Sequence, residues 1–125
     1  MSRGSVYDVD NKLSFSFRHL DEEQGSSIKE WENASMLGEA LKTLCAYSTM
    51  TLPEAQRNRF TIYNDFPPAN KTDFVHPKHV PPDAQWASMH INGPVCLAGH
   101  IVGTIFYIVF LDPKHRFWIT KLKGT

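Results

Sequence analysis

Six histidines are spread over 125 residues, and His90, His100 and His115 fall in the last third of the chain. Histidine exchanges protons near neutrality, so it is the side chain best suited to general acid or base work. His115 stands within Asp112-Pro113-Lys114-His115-Arg116, with Trp118 and Lys121 just beyond. In that setting His115 serves as acid or base, Lys114, Arg116 and Lys121 hold phosphates, and Trp118 stacks on a base. The competing reading is structural: Asp-Pro starts turns, and charged residues merely solvate the exit of a buried strand.

His90 and His100 flank Asn92-Gly93-Pro94. A hairpin centred on Gly93-Pro94 would make them near cross-strand neighbours on one face, able to share acid–base work. No carboxylate or cysteine stands at matching spacing, so neither a metal nor another cofactor is expected. His76-Pro77-Lys78-His79 places two histidines three apart, but Pro77 argues against a helix that would bring them together. A polar loop covering a site or a partner surface is the simpler expectation there. The sequence contains no phosphate-cradling glycine loop, no GxSxG elbow and no HExxH, which removes support for NTPase, α/β-hydrolase and zincin chemistry.

Thirteen basic and thirteen acidic residues give a formal charge of zero. Proteins that bind nucleic acid through phosphates usually carry a basic excess, so any basic surface here must be local. Cys45 and Cys96 show no metal spacing and read as small core residues. "MSRGSVYDVDNK" lacks the apolar core of a signal peptide, and the apolar run Ile105–Leu111 is too short for a spanning helix. A cytoplasmic protein that does not enter membranes is the expectation.

The length suits one domain, 1–125, with 1–12 loosely held. In "LSFSFRHL", Leu13, Phe15 and Phe17 alternate with Ser14, Ser16 and Arg18, the pattern of a strand with one buried side. Ser27-x-x-Glu30 has capping-box spacing, and Ile28, Trp31, Ala34, Leu37, Leu41, Leu44 and Cys45 then recur as one helical stripe, predicting a helix to Tyr47 or Ser48. Thr51-Leu52-Pro53-Glu54 repeats the signal and predicts a second helix to about Arg59. "FTIYNDF" alternates again, without showing whether it joins a sheet. Five prolines between 67 and 83 exclude a regular element and leave a long loop of the kind that often carries function.

"QWASMHI", "VCLAGHIV" and "TIFYIVFLD", separated by Asn92-Gly93-Pro94 and Gly103, predict a three-stranded meander. Its third strand is apolar on both faces and should be central, and "RFWIT" is a candidate short edge strand. The expected fold is α+β: a mainly antiparallel sheet, made from the N-terminal strand and the meander, with a helical hairpin packed on one face.

A strand, two helices and a three-stranded meander with a short polar tail resembles the RelE/ParE superfamily of small bacterial toxins in element order. The resemblance implies action on RNA or the translation machinery, as a metal-independent toxin-type endoribonuclease needing no cofactor. On this chain it implies His90 and His100 on the first two meander strands. Lys114, His115, Arg116, Trp118 and Lys121 would lie at and beyond the last strand's end. RNA or the ribosome, or an antitoxin, would be the partners, with gyrase as the target in the branch without nuclease activity. The neutral charge and the lack of a lysine-rich sheet favour a second expectation, a non-catalytic protein-binding module of the inhibitor, immunity or antitoxin kind.

Overall fold

The computed structural model describes residues 11–119. Along these residues run β1 (Ser14–Ser16), α1 (Ile28–Asn33), α2 (Leu37–Tyr47), α3 (Leu52–Gln56), β2 (Phe60–Ile62), β3 (Gln85–Asn92), β4 (Val95–Val102) and β5 (Ile105–Asp112). The strands form one five-stranded mixed sheet in the order β1-β5-β4-β3-β2. β1 runs parallel to β5, and the other three pairings are antiparallel. The chain is therefore α+β, and "FTI" does join the sheet as an edge strand. No helix among the described residues is long and apolar enough to cross a membrane.

The double-sided apolar character of β5 has the cause the sequence suggested. The strand lies between β1 and β4 and is covered on both faces. Phe106, Ile108 and Leu111 join the core beneath the helices, with Trp31, Leu44, Tyr47 and Phe60. Val109 and Phe110 join a second core on the opposite face, with Val80, Trp86, Ala98 and Phe117. Phe66 and Phe74 of the Pro-rich loop, together with Tyr63 and Trp118, pack against that second core. The Pro-rich segment is thus a third layer. Interior strands with two apolar faces need such a cover as much as they need the helices.

The helical region departs from the single long helix predicted after Ser27. Ser27 and Glu30 do form the capping box, but α1 stops at Asn33. Ser35 takes a left-handed φ of 60°. Its N–H donates to the Glu32 carbonyl at 3.1 Å, and the Met36 N–H donates to the Trp31 carbonyl at 2.9 Å. That pair of bonds is a Schellman closure, made here with serine where glycine is usual. Asn33 and Ser35 are weak helix formers, so propensity gives no resistance to the break. The result is three short helices rather than a hairpin. α3 keeps the Thr51–Glu54 capping box with Pro53 in its first turn, and ends at Gln56 instead of Arg59.

"RFWIT" adds no strand within the described residues. The Asp73 N–H donates to the Arg116 carbonyl, and the Ile119 N–H to the Lys71 carbonyl, which fastens this segment to the Pro-rich layer. Gly93 and Gly103 adopt positive φ in the two hairpin turns, and the β3–β4 register slips between His90 and Asn92. A second irregularity falls where β4 meets β5. Ala98 pairs with Phe110 but Gly99 pairs with Ile108, so Val109 is the extra residue of a bulge. A Cβ on Gly99 would lie 1.9 Å from the Tyr107 carbonyl oxygen, so only glycine permits this approach. The Val109 carbonyl, freed from the ladder, accepts the Asp21 N–H at 2.8 Å.

Candidate functional site

The polar exit of β5 is a turn organised by a buried carboxylate. Asp112 is 1% exposed. Its Oδ1 accepts the Arg116 N–H at 2.9 Å and its Oδ2 accepts the Phe117 N–H at 2.8 Å. The Cys96 thiol donates to Oδ2 at 3.5 Å, and burial first, then Asp112, pushes that thiol's pKa up. Asp112 therefore folds Pro113–Arg116 back so that Phe117 enters the second core.

Of the groups expected to act together, the structure joins His90 and His115 and leaves the others apart. Lys114 is exposed, whereas the Arg116 Nε donates to Asp73 Oδ2 at 2.5 Å. Trp118 stacks on Tyr63 with ring centroids 4.2 Å apart, so its face is already used in packing. His115, at φ 59°, lies against His90 with centroids 5.0 Å apart. His90 pairs with Cys96, however, and His100 pairs with Trp86. The two-residue turn matches Asn92 to Val95, so the two histidines share a face but are not cross-strand neighbours. Cys96, opposite His90, stands four residues from His100 along β4, roughly 13 Å. Lys121 lies outside the described residues.

A different histidine accompanies His100. His19 Nδ1 and His100 Nε2 share a hydrogen bond at 3.1 Å. Tyr107 stacks with both rings, at 4.9 Å from His19 and 5.0 Å from His100. From the Pro-rich layer, His79 Nε2–H donates to the His19 carbonyl at 2.8 Å, and the edge of His76 meets Trp86. Gln24 exchanges two hydrogen bonds with the Val75 backbone nearby. Burial first, then the neighbouring His19, His76 and His79, pushes the His100 pKa down to about 4. His19 is lowered as well, by burial and then by His79 and Arg18. His100 is consequently neutral at pH 7, and the cluster clasps the Pro-rich layer onto the sheet. His19 lies in the turn after β1 and packs on the face opposite Leu13 and Phe15, so the alternation of that strand gave no signal for it. No group of three or more His, Cys, Asp or Glu side chains among the described residues is arranged to hold a metal ion.

The helical face holds a feature of another kind. A groove of about 220 Å³ opens between the segment after β1 and helices α1 and α2. Trp31, Leu97 and Leu111 line it as buried residues. Phe17, Ile28 and Leu41 line it too, at 45%, 42% and 51% exposure. All nine lining residues are apolar. Two members of the stripe read as core, Ile28 and Leu41, are thus open to solvent, and so is Cys45, one turn beyond Leu41. The described residues define a small three-layer α+β protein whose helical layer carries an open apolar groove. In comparisons with family models, curated proteins and solved structures, the chain has no significant match.

Proposed function

We propose that this chain is a non-catalytic protein-interaction module and that the groove beside α1 and α2 is its docking site. One observation carries the reading. Among the described residues six large apolar side chains are exposed, Phe17, Ile28, Leu41, Val75, Val102 and Ile105, and three of them line one groove. Scattered exposed apolar residues need no explanation, but a contiguous set marks a contact surface. The groove's volume falls below the ~300 Å³ at which pockets for drug-sized ligands begin, which suits side-chain anchors from another protein. Against the nuclease alternative stand the separation of His100 from the contacting pair His90 and His115, the ion pair that engages Arg116 and the stacking of Trp118 on Tyr63.

Selection from a random peptide library tests the assignment, with Leu41→Glu as the counter-target. Peptides bearing two or more large apolar anchors should be enriched, and Leu41→Glu should weaken them by about tenfold or more. Enriched peptides that bind Leu41→Glu equally well would overturn the docking site. Cleavage of mRNA by the purified protein in a translating extract would overturn the non-catalytic reading.

A further inference from the structure

We propose that the groove receives an amphipathic helix flanked by Lys or Arg, supplied by a partner protein. The inference rests on the docking reading above and adds the chemistry of the occupant. Its first support is charge. Between Leu20 and Lys42 the chain carries Asp21, Glu22, Glu23, Glu30, Glu32 and Glu39 against only Lys29 and Lys42, whereas the whole chain is neutral. Two of these acids, Glu22 and Glu32, stand beside groove residues. Glu22 Oε2 accepts the N–H of the groove residue Ile28 at 2.7 Å, which places one carboxylate at its mouth. Glu32 stands four residues after Ile28 on α1 and so shares its side of the helix. Lys29 offsets Glu32 only through an exposed contact of 3.8 Å. An approaching basic segment would meet attraction at the rim and apolar contact at the centre.

The second support is the lining. Phe17, Ile28, Leu41 and their neighbours present no side-chain hydrogen-bonding group to the groove. An extended peptide pressed into it would bury backbone N–H and C=O groups without partners, at a cost that a helix avoids by bonding them internally. Strand addition needs a sheet edge, whereas most of this surface is made by side chains of α1 and α2. The occupant should therefore carry anchors spaced three or four residues apart and basic residues beside them.

Three synthetic peptides of about eighteen residues test this, each with the same leucine and phenylalanine face and a fluorescent label. The first has Lys and Arg on the polar face, the second has Glu there, and the third is the first with a central proline. The first should bind at least about tenfold tighter than the other two and weaken as salt rises. The reversal Glu32→Lys should shift the preference towards the acidic peptide. Equal binding of the basic and acidic peptides, unaltered binding of the proline peptide, or no binding by any of them would overturn this inference. The docking reading fails separately, if peptides that do bind are indifferent to Leu41→Glu.

Discussion

Acidification should destabilise this protein well before its carboxylates titrate, and His100 should be the main cause. His100 is 2% exposed, and its pKa is held at about 4, against an ordinary value of 6.5. The fold therefore favours the neutral ring, while the unfolded chain takes up a proton near 6.5. Stability from this group is complete above 6.5, falls as pH drops below that value, and stops falling beneath about 4. A tenfold change in protonation is worth ~1.4 kcal/mol, so the loss approaches ~3 kcal/mol in full and ~2 kcal/mol near pH 5. That is a large share of the roughly 5–15 kcal/mol that holds a domain together. Urea unfolding of wild type and His100→Gln at about pH 7.5 and about pH 5 reads the effect, because glutamine still bonds His19 but does not titrate. Wild type should lose ~2 kcal/mol from His100 plus a smaller amount from other histidines between the two conditions, and His100→Gln less than half of the wild-type loss. Equal losses in the two proteins, or a wild type whose stability does not fall, would refute the reasoning. His19 and His90 are lowered in the same direction, so they account for the remainder in His100→Gln.

Two further substitutions probe the frame beneath the site. Gly99→Ala puts a Cβ 1.9 Å from the Tyr107 carbonyl oxygen and 2.9 Å from its carbonyl carbon, both backbone atoms. The β4–β5 bulge must open, at a cost of ~3 kcal/mol or more by denaturant unfolding; a loss under ~1 kcal/mol contradicts the close approach. Asp112→Ala removes the acceptor of the Arg116 and Phe117 N–H groups and should cost ~2–4 kcal/mol, with Asp112→Asn in between. Unchanged unfolding midpoints in both Asp112 variants would show that the turn does not depend on its carboxylate.

Local patterns were legible in the sequence where a local cause decides the structure. The Ser27 and Thr51 capping boxes, the hairpin glycines and the double-sided apolar run of β5 all behave as their residue types require. Features set by tertiary fit were not. Nothing in Asn33-Ala34-Ser35 marks a left-handed serine, a conformation that residues other than glycine seldom adopt. The pairing of β1 with β5 rests on three residues and leaves no periodic trace. Register is equally opaque. His90 and His100 straddle one turn, yet the tight Gly93-Pro94 connection puts Cys96 and Trp86 opposite them. The groove shows the same limit from the other side. Periodicity places Ile28 and Leu41 on one face with Trp31 and Leu44, but it does not say whether anything covers that face.

Cys45 offers the most direct test of the groove. It is free and exposed one helical turn beyond Leu41, whereas Cys96 is buried, so a thiol reagent reads α2 selectively. The measurement is the rate of Cys45 alkylation with and without a saturating library-selected peptide, in wild type and Leu41→Glu. Leu41 is 51% exposed, so the substitution should alter folding stability by no more than ~0.5 kcal/mol. The account predicts that peptide slows Cys45 modification several-fold in wild type and leaves it unchanged in Leu41→Glu. A bound peptide that leaves the wild-type rate untouched, or slows both proteins alike, would contradict docking at this groove.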